Sequence, residues 1–66
     1  MNTIKVNVDS TIAEIAINTY GSFVIAADTS KKYKIGKTKL VFPDKSSLIG
    51  RVKIEEGSIV FQRSSN

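Results

Sequence analysis

The sequence contains no cysteine, no histidine and no tryptophan among its 66 residues. Without cysteine there is no disulfide framework and no thiolate nucleophile, and without cysteine and histidine there is no Cys/His zinc site. The serines also lack the imidazole that most often activates a hydroxyl nucleophile. A Ser47–Lys45 dyad would need a dry pocket that a chain of this size hardly encloses. We therefore expect a protein that is not an enzyme and that uses no metal and no cofactor.

Long hydrophobic runs are also missing. The longest unbroken apolar run covers residues 23–27, whereas about 20 residues are needed to span a bilayer. No stretch near the N-terminus joins a basic region, an apolar run and a small-residue cleavage site, as a signal peptide does. These features predict a cytoplasmic protein without a membrane partner.

The chain has room for one small domain. We expect that domain to occupy residues 1–62, followed by a loose tail at 63–66. A domain of this size buries only about 60% of the surface that its unfolded chain exposes, so its stability margin is thin.

Alternation of apolar and polar residues is the dominant pattern, and a period of two is typical of strands with one buried face. Residues 3–9 follow it, and further strand-like runs occupy 22–28, 32–35, 37–42, 48–55 and 58–62. The run at 22–28 is almost wholly apolar, as for a strand covered on both sides. Turn-forming residues lie between the runs, at 18–21, 28–31, 43–46 and 55–58. The sequence thus predicts an all-β fold, a small, strongly bent antiparallel meander of five to seven strands that forms an open barrel or a sandwich.

Two glycines, Gly36 and Gly50, lie inside strand-like runs, where they mark a bulge or a bend. The three phenylalanines, Phe23, Phe42 and Phe61, are predicted core residues. Some apolar residues lie on the face opposite the presumed core, namely Val24, Ala26, Val41 and Ile49. If they are exposed, they call for a partner.

Residues 11–20 fit two structures. Thr11 and Glu14 have the spacing of a capping box, and Ile12, Ile15 and Ala16 would then form a helical stripe ending before Gly21. The same residues also alternate as a strand does, and three β-branched isoleucines favour a strand. We favour the strand and keep one short helix at 11–20, packed on the sheet, as the alternative.

Positive charge is concentrated in the middle of the chain. The net charge is +4, but residues 31–53 hold eight Lys and Arg against one acidic residue, Asp44, a local sum of +7. A dense basic patch with a nearby aromatic ring favours contact with nucleic-acid backbone, through counterion release and base stacking. The candidate residues are Lys31, Lys32, Tyr33, Lys34, Lys37, Lys39, Arg51 and Lys53.

The pattern is also compatible with plainer functions. Small β proteins place lysine on solvent-facing edges for solubility and to prevent strands from pairing edge to edge. The leading hypothesis is a non-catalytic binding module whose basic central face, residues 31–53, contacts DNA or RNA backbone without sequence specificity. The alternative is a small protein-interaction or assembly module, such as an accessory protein, an inhibitor or a self-associating structural protein, with no nucleic-acid role.

Overall fold

The computed structural model describes residues 1–29 and 33–64 of the chain. Five strands and one helix follow one another in the order β1 (Asn2–Lys5), α1 (Ser10–Tyr20), β2 (Phe23–Ala26), β3 (Gly36–Val41), β4 (Ser47–Glu55) and β5 (Ser58–Arg63). The predicted all-β fold with a short helix is confirmed.

The five strands form one sheet in the order β1-β3-β4-β5-β2. Strands β3, β4 and β5 form the antiparallel meander that the turn residues predict. Strand β2 also pairs with β5 in an antiparallel direction. Strand β1, however, pairs with β3 in parallel. A parallel pair needs a long connection, and here α1 and β2 lie between the two strands in the chain. The result is a mixed sheet that curls into half a barrel.

The preferred prediction of a strand at 11–20 is wrong, and the helical alternative is correct. Asp9 caps α1 by accepting a 2.7 Å hydrogen bond from the Thr11 amide. Gly21 ends the helix with a left-handed φ of 87° and donates its N–H to the Ile17 carbonyl. Because β-branched residues lower helix propensity by less than 1 kcal/mol each, these caps and the packing of the helix prevail.

The predicted cap and stripe of this helix also need correction. The cap is Asp9, two residues before Thr11. The buried residues are Ala13 and Ile17, whereas Ile12 and Ile15 are 57% and 59% exposed. The helix therefore packs on the sheet through Ala13 and Ile17 and not through the predicted stripe of Ile12, Ile15 and Ala16.

Two predicted strands differ in the structure. Residues 33–35 are not in a strand, and Lys32, with which that run begins, lies outside the described residues. The apolar run at 22–28 is reduced to β2, which lies at an edge of the sheet instead of being covered on both sides. Only part of this run is covered: Phe23, Ile25 and Ala26 pack against the core, whereas Val24 is exposed.

The core lies between α1 and the concave side of the sheet, which we call the inner face. Its buried residues are Ile4, Ala13, Ile17, Leu40, Phe42, Val52, Ile59 and Phe61. Among the predicted aromatic core residues, Phe42 and Phe61 are buried and Phe23 packs against the cluster at partial exposure. The buried hydroxyl of Thr38 also lies on this face and donates a 2.9 Å hydrogen bond to the Gly36 carbonyl.

The turn between β4 and β5 lies where the sequence predicts one. Glu56 and Gly57 both have positive φ, 50° and 78°, and join β4 to β5 in a tight hairpin. At the C-terminal side, Arg63 still belongs to β5, and the Ser64 amide donates a hydrogen bond to the Ile49 carbonyl.

Candidate nucleic-acid interface

The convex side of the sheet, which we call the outer face, carries a set of basic side chains. Lys37 and Lys39 alternate in β3 with the buried residues Thr38 and Leu40, so they point away from the core. Arg51 and Lys53 flank the buried Val52 in β4 in the same way. The four predicted residues therefore share one face.

The register of the strands places these cations close together. Lys37 lies directly opposite Arg51, and Lys39 lies between Thr3 of β1 and Ile49 of β4. Neighbouring strands are about 4.8 Å apart, and alternate residues of one strand are about 6.7 Å apart. The basic side chains thus emerge from adjacent points of a small grid.

A fifth cation joins the outer face from a distant part of the sequence. Lys5 of β1 lies beside Val41 of β3, on the same side as Lys39. Sequence reasoning missed Lys5 as a site residue because its proximity depends on the parallel β1–β3 pairing. The only available signal was its alternation with Ile4 and Val6, which places it on a polar face but not beside a particular strand.

Acidic groups are scarce on this face. Among the described residues, its one ion pair joins Lys53 Nζ to Glu55 Oε2 at 3.2 Å. Both side chains are about half exposed, so this pair contributes at most about 1 kcal/mol. Glu14 is on the helix, where it binds Arg63 at 2.8 Å and ties α1 to β5. The outer face therefore carries five cations against one carboxylate.

Asp44, the acidic residue inside the basic segment, lies in the β3–β4 turn, where its carboxylate accepts hydrogen bonds from two serines. Its carboxylate accepts hydrogen bonds from the Ser46 hydroxyl and amide at 2.5 and 2.9 Å and from the Ser10 hydroxyl at 3.1 Å. The Ser46 hydroxyl, followed by the Ser46 amide, lowers the pKa of Asp44 below its ordinary value. Asp44 therefore fastens the turn to the start of α1.

The remaining predicted site residues lie elsewhere or are not described. Lys31 and Lys32 lie outside the described residues. Tyr33 is half-buried and packs against the core, while Lys34 is exposed, and both lie beside β1. Because residues 33–35 form no strand, Lys34 does not lie on a strand next to Lys37 and Lys39.

Aromatic rings are absent from the described part of the outer face. Phe23 and Phe61 lie on the inner face, and Phe42, directly after β3, is buried in the core. Tyr20, which is 81% exposed, lies at the end of α1. The outer face thus offers charge and hydrogen-bond donors but no ring on which a base can stack. Sheets that read single-stranded RNA on their face use such rings.

Residues 1–29 and 33–64 contain neither a cluster of metal ligands nor a membrane-spanning helix. No group of three or more metal-ligating side chains is present in this part of the chain. The helix there is too short and too polar to cross a membrane. Comparison of the sequence and structure with protein-family models, curated proteins and solved structures gave no match.

Proposed function

We propose that the protein is a non-catalytic binding module whose outer face contacts the phosphate backbone of nucleic acid without sequence specificity. The observation that supports this most directly is the grouping of Lys5, Lys37, Lys39, Arg51 and Lys53 on one face with a single paired carboxylate. Lysine ammonium groups bind phosphate as point charges, and each contact releases condensed counterions.

The composition of the face favours backbone contact over base reading. Four of its five cations are lysines, whereas readers of base edges rely on the bidentate fork of arginine. Among its other side chains, Val41 and Ile49 give no hydrogen bonds to bases, whereas Gln62, opposite Arg51, supplies an amide that does. The expected binding is therefore similar for different sequences and strongly dependent on salt.

A matched pair of variants tests this proposal. Lys39→Gln and Thr11→Glu each lower the net charge by one unit, the first on the outer face and the second on the exposed side of α1. At about 50 mM salt, where electrostatic contacts are strong, Lys39→Gln should weaken binding to a mixed-sequence oligonucleotide, measured by fluorescence anisotropy. Thr11→Glu should weaken it much less. Equal losses in the two variants would show that net charge, not the outer face, determines binding.

A second candidate function, a protein-interaction or assembly module, is favoured by the exposed isoleucines of α1. Ile12 and Ile15 are neighbours on one side of the helix, and both are more than half exposed. Val24 and Ile49, two of the four apolar residues predicted to need a partner, are also exposed, while Ala26 and Val41 are half-buried. Light scattering at rising concentration tests self-association. A mass above 7.2 kDa that Ile12→Glu/Ile15→Glu reduces to that of one chain would favour this function.

A further inference from the structure

A groove of about 370 Å³ runs along the edge of β1 that does not pair with β3, next to the outer face. Its walls are Asn2, Thr3, Ile4 and Lys5 of β1 on one side and Tyr33 and Lys34 on the other. All four residues of the strand line it, which places the groove along the edge that β3 does not occupy. Its volume is within the range of pockets that hold small organic ligands.

The side chains of the groove combine four kinds of chemistry. Lys5 and Lys34 supply ammonium groups, and both are exposed. Asn2 and Thr3 supply an amide and a hydroxyl, which both donate and accept hydrogen bonds. Tyr33 supplies an aromatic ring that is half-buried because it also packs against the core, so its position is held by the fold.

We infer that this groove takes one nucleotide of a single-stranded nucleic acid, with its base against Tyr33 and its phosphate between Lys5 and Lys34. A ring, an amide, a hydroxyl and two cations match the flat base and the charged phosphate of a nucleotide. The inference rests on the proposed function and names the form of nucleic acid that the protein prefers.

The groove is continuous with the outer face. Thr3 lies beside Lys39 in the β1–β3 register, and Lys5 belongs to both surfaces. A nucleic-acid strand that follows the lysines of β3 needs to cross only β1, which lies about 4.8 Å from β3, to reach the groove. The groove also supplies the aromatic ring that the outer face lacks.

A duplex does not fit this arrangement. Its bases are paired and stacked, and moving one into a pocket costs a few kcal/mol. We therefore expect a preference for single strands, whether DNA or RNA.

The test compares four oligonucleotides of equal length: single-stranded DNA, single-stranded RNA, duplex DNA, and a DNA strand whose central nucleotides are abasic. Stacking of one base corresponds to about 5-fold to 150-fold in affinity, so the base-bearing single strands should bind at least about 5-fold more tightly than the abasic strand. Tyr33→Leu should abolish this difference. Tyr20→Leu, the same change at an exposed position of α1, should preserve it.

The outcomes separate the groove from the outer face. If the abasic strand or the duplex binds as well as the intact single strand, with the same steep salt dependence, the groove inference is wrong and the proposed function stands. If none of the four binds at low salt, the proposed function fails and the groove inference fails with it.

A second measurement covers the case in which Tyr33→Leu does not fold. Amide shifts of the wild-type protein, followed by NMR during titration with the single-stranded DNA, should include residues 2–5, 33 and 34. Shifts confined to β3 and β4 would overturn the groove inference, because the strand would then occupy the outer face alone.

Discussion

Lys37 lies directly opposite Arg51 across the β3–β4 ladder, with both side chains on the outer face. Directly opposed like charges destabilise a sheet, and neither residue forms an ion pair with a described residue. A bound anion between the two side chains would turn this repulsion into attraction. The repulsion between Lys37 and Arg51 thus lowers the stability of the free protein, and a bound phosphate would remove it.

The first prediction concerns this pair. Lys37→Gln should raise the free energy of unfolding by about 0.2–1 kcal/mol at low salt, because it removes the repulsion from Arg51. The gain should decrease at 1 M salt, where the screening length is about 3 Å. Urea unfolding at both salt concentrations measures it. A variant that is less stable than wild type at low salt would show that Lys37 stabilises the sheet through another contact.

The second prediction concerns the close packing of Gly50 in β4. A Cβ atom at this position would lie 2.7 Å from Cζ of Phe61 and still closer to the carbonyl oxygen of Gln62. Gly50→Ala should therefore destabilise the protein by about 1–3 kcal/mol, because the β5 backbone cannot move away freely. Ser47→Ala, an exposed change in the same strand, is the control and should alter unfolding by less than about 0.5 kcal/mol. Equal midpoints for the two variants would contradict this packing.

The third prediction tests the helix that the sequence pattern did not favour. Asp9→Ala should lower the free energy of unfolding by about 1 kcal/mol through loss of the N-cap. Ile17→Ala should lower it by about 2–5 kcal/mol, because Ile17 is buried. Ile15→Ala should have little effect, since Ile15 is 59% exposed. If Ile15→Ala costs as much as Ile17→Ala, residues 11–20 do not pack as this helix.

The fourth prediction concerns pH. Because hydrogen bonds from Ser46 lower the pKa of Asp44 in the folded state, Asp44 stabilises the fold above its ordinary pKa, about 3.9. That contribution is lost as the pH falls through the lowered pKa, when the unfolded state binds the proton first. An NMR titration should show the pKa of Asp44 moving upward in Ser46→Ala, and the stability of Asp44→Asn should vary less with acid pH. An unchanged Asp44 titration in Ser46→Ala would contradict the assigned cause.

Parts of the fold could be predicted from local pattern. In residues 37–40 of β3 and 50–53 of β4, lysine or arginine alternates with buried residues. The Glu56–Gly57 turn has, in Gly57, the glycine that a tight hairpin favours. In these segments the nearest partner is the next strand of the chain, so local pattern is sufficient.

The remainder depends on contacts between distant segments. Residues 11–20 alternate well enough for a strand, and their helix depends on Asp9, on Gly21 and on the packing of Ala13 and Ile17 in the shared core. The parallel pairing of β1 with β3 has no local signature, so the place of Lys5 in the site could not be predicted. Ile54 is 56% exposed although it lies on the inner side of β4, and the alternation of β4 gives no sign of this.

The salt dependence of binding is the decisive test of phosphate contact at the outer face. Affinity for a single-stranded oligonucleotide should be measured from about 50 to 200 mM salt for wild type and for Lys37→Gln/Lys39→Gln. If the outer face binds phosphates, the log–log plot should be linear for wild type. The slope of the double variant should be smaller in magnitude by roughly 1.4–1.8, since each lost phosphate contact removes about 0.7–0.9. An unchanged slope in the double variant, or no wild-type binding below about 100 μM at 50 mM salt, the weak limit of non-specific contacts, would contradict phosphate binding at this face.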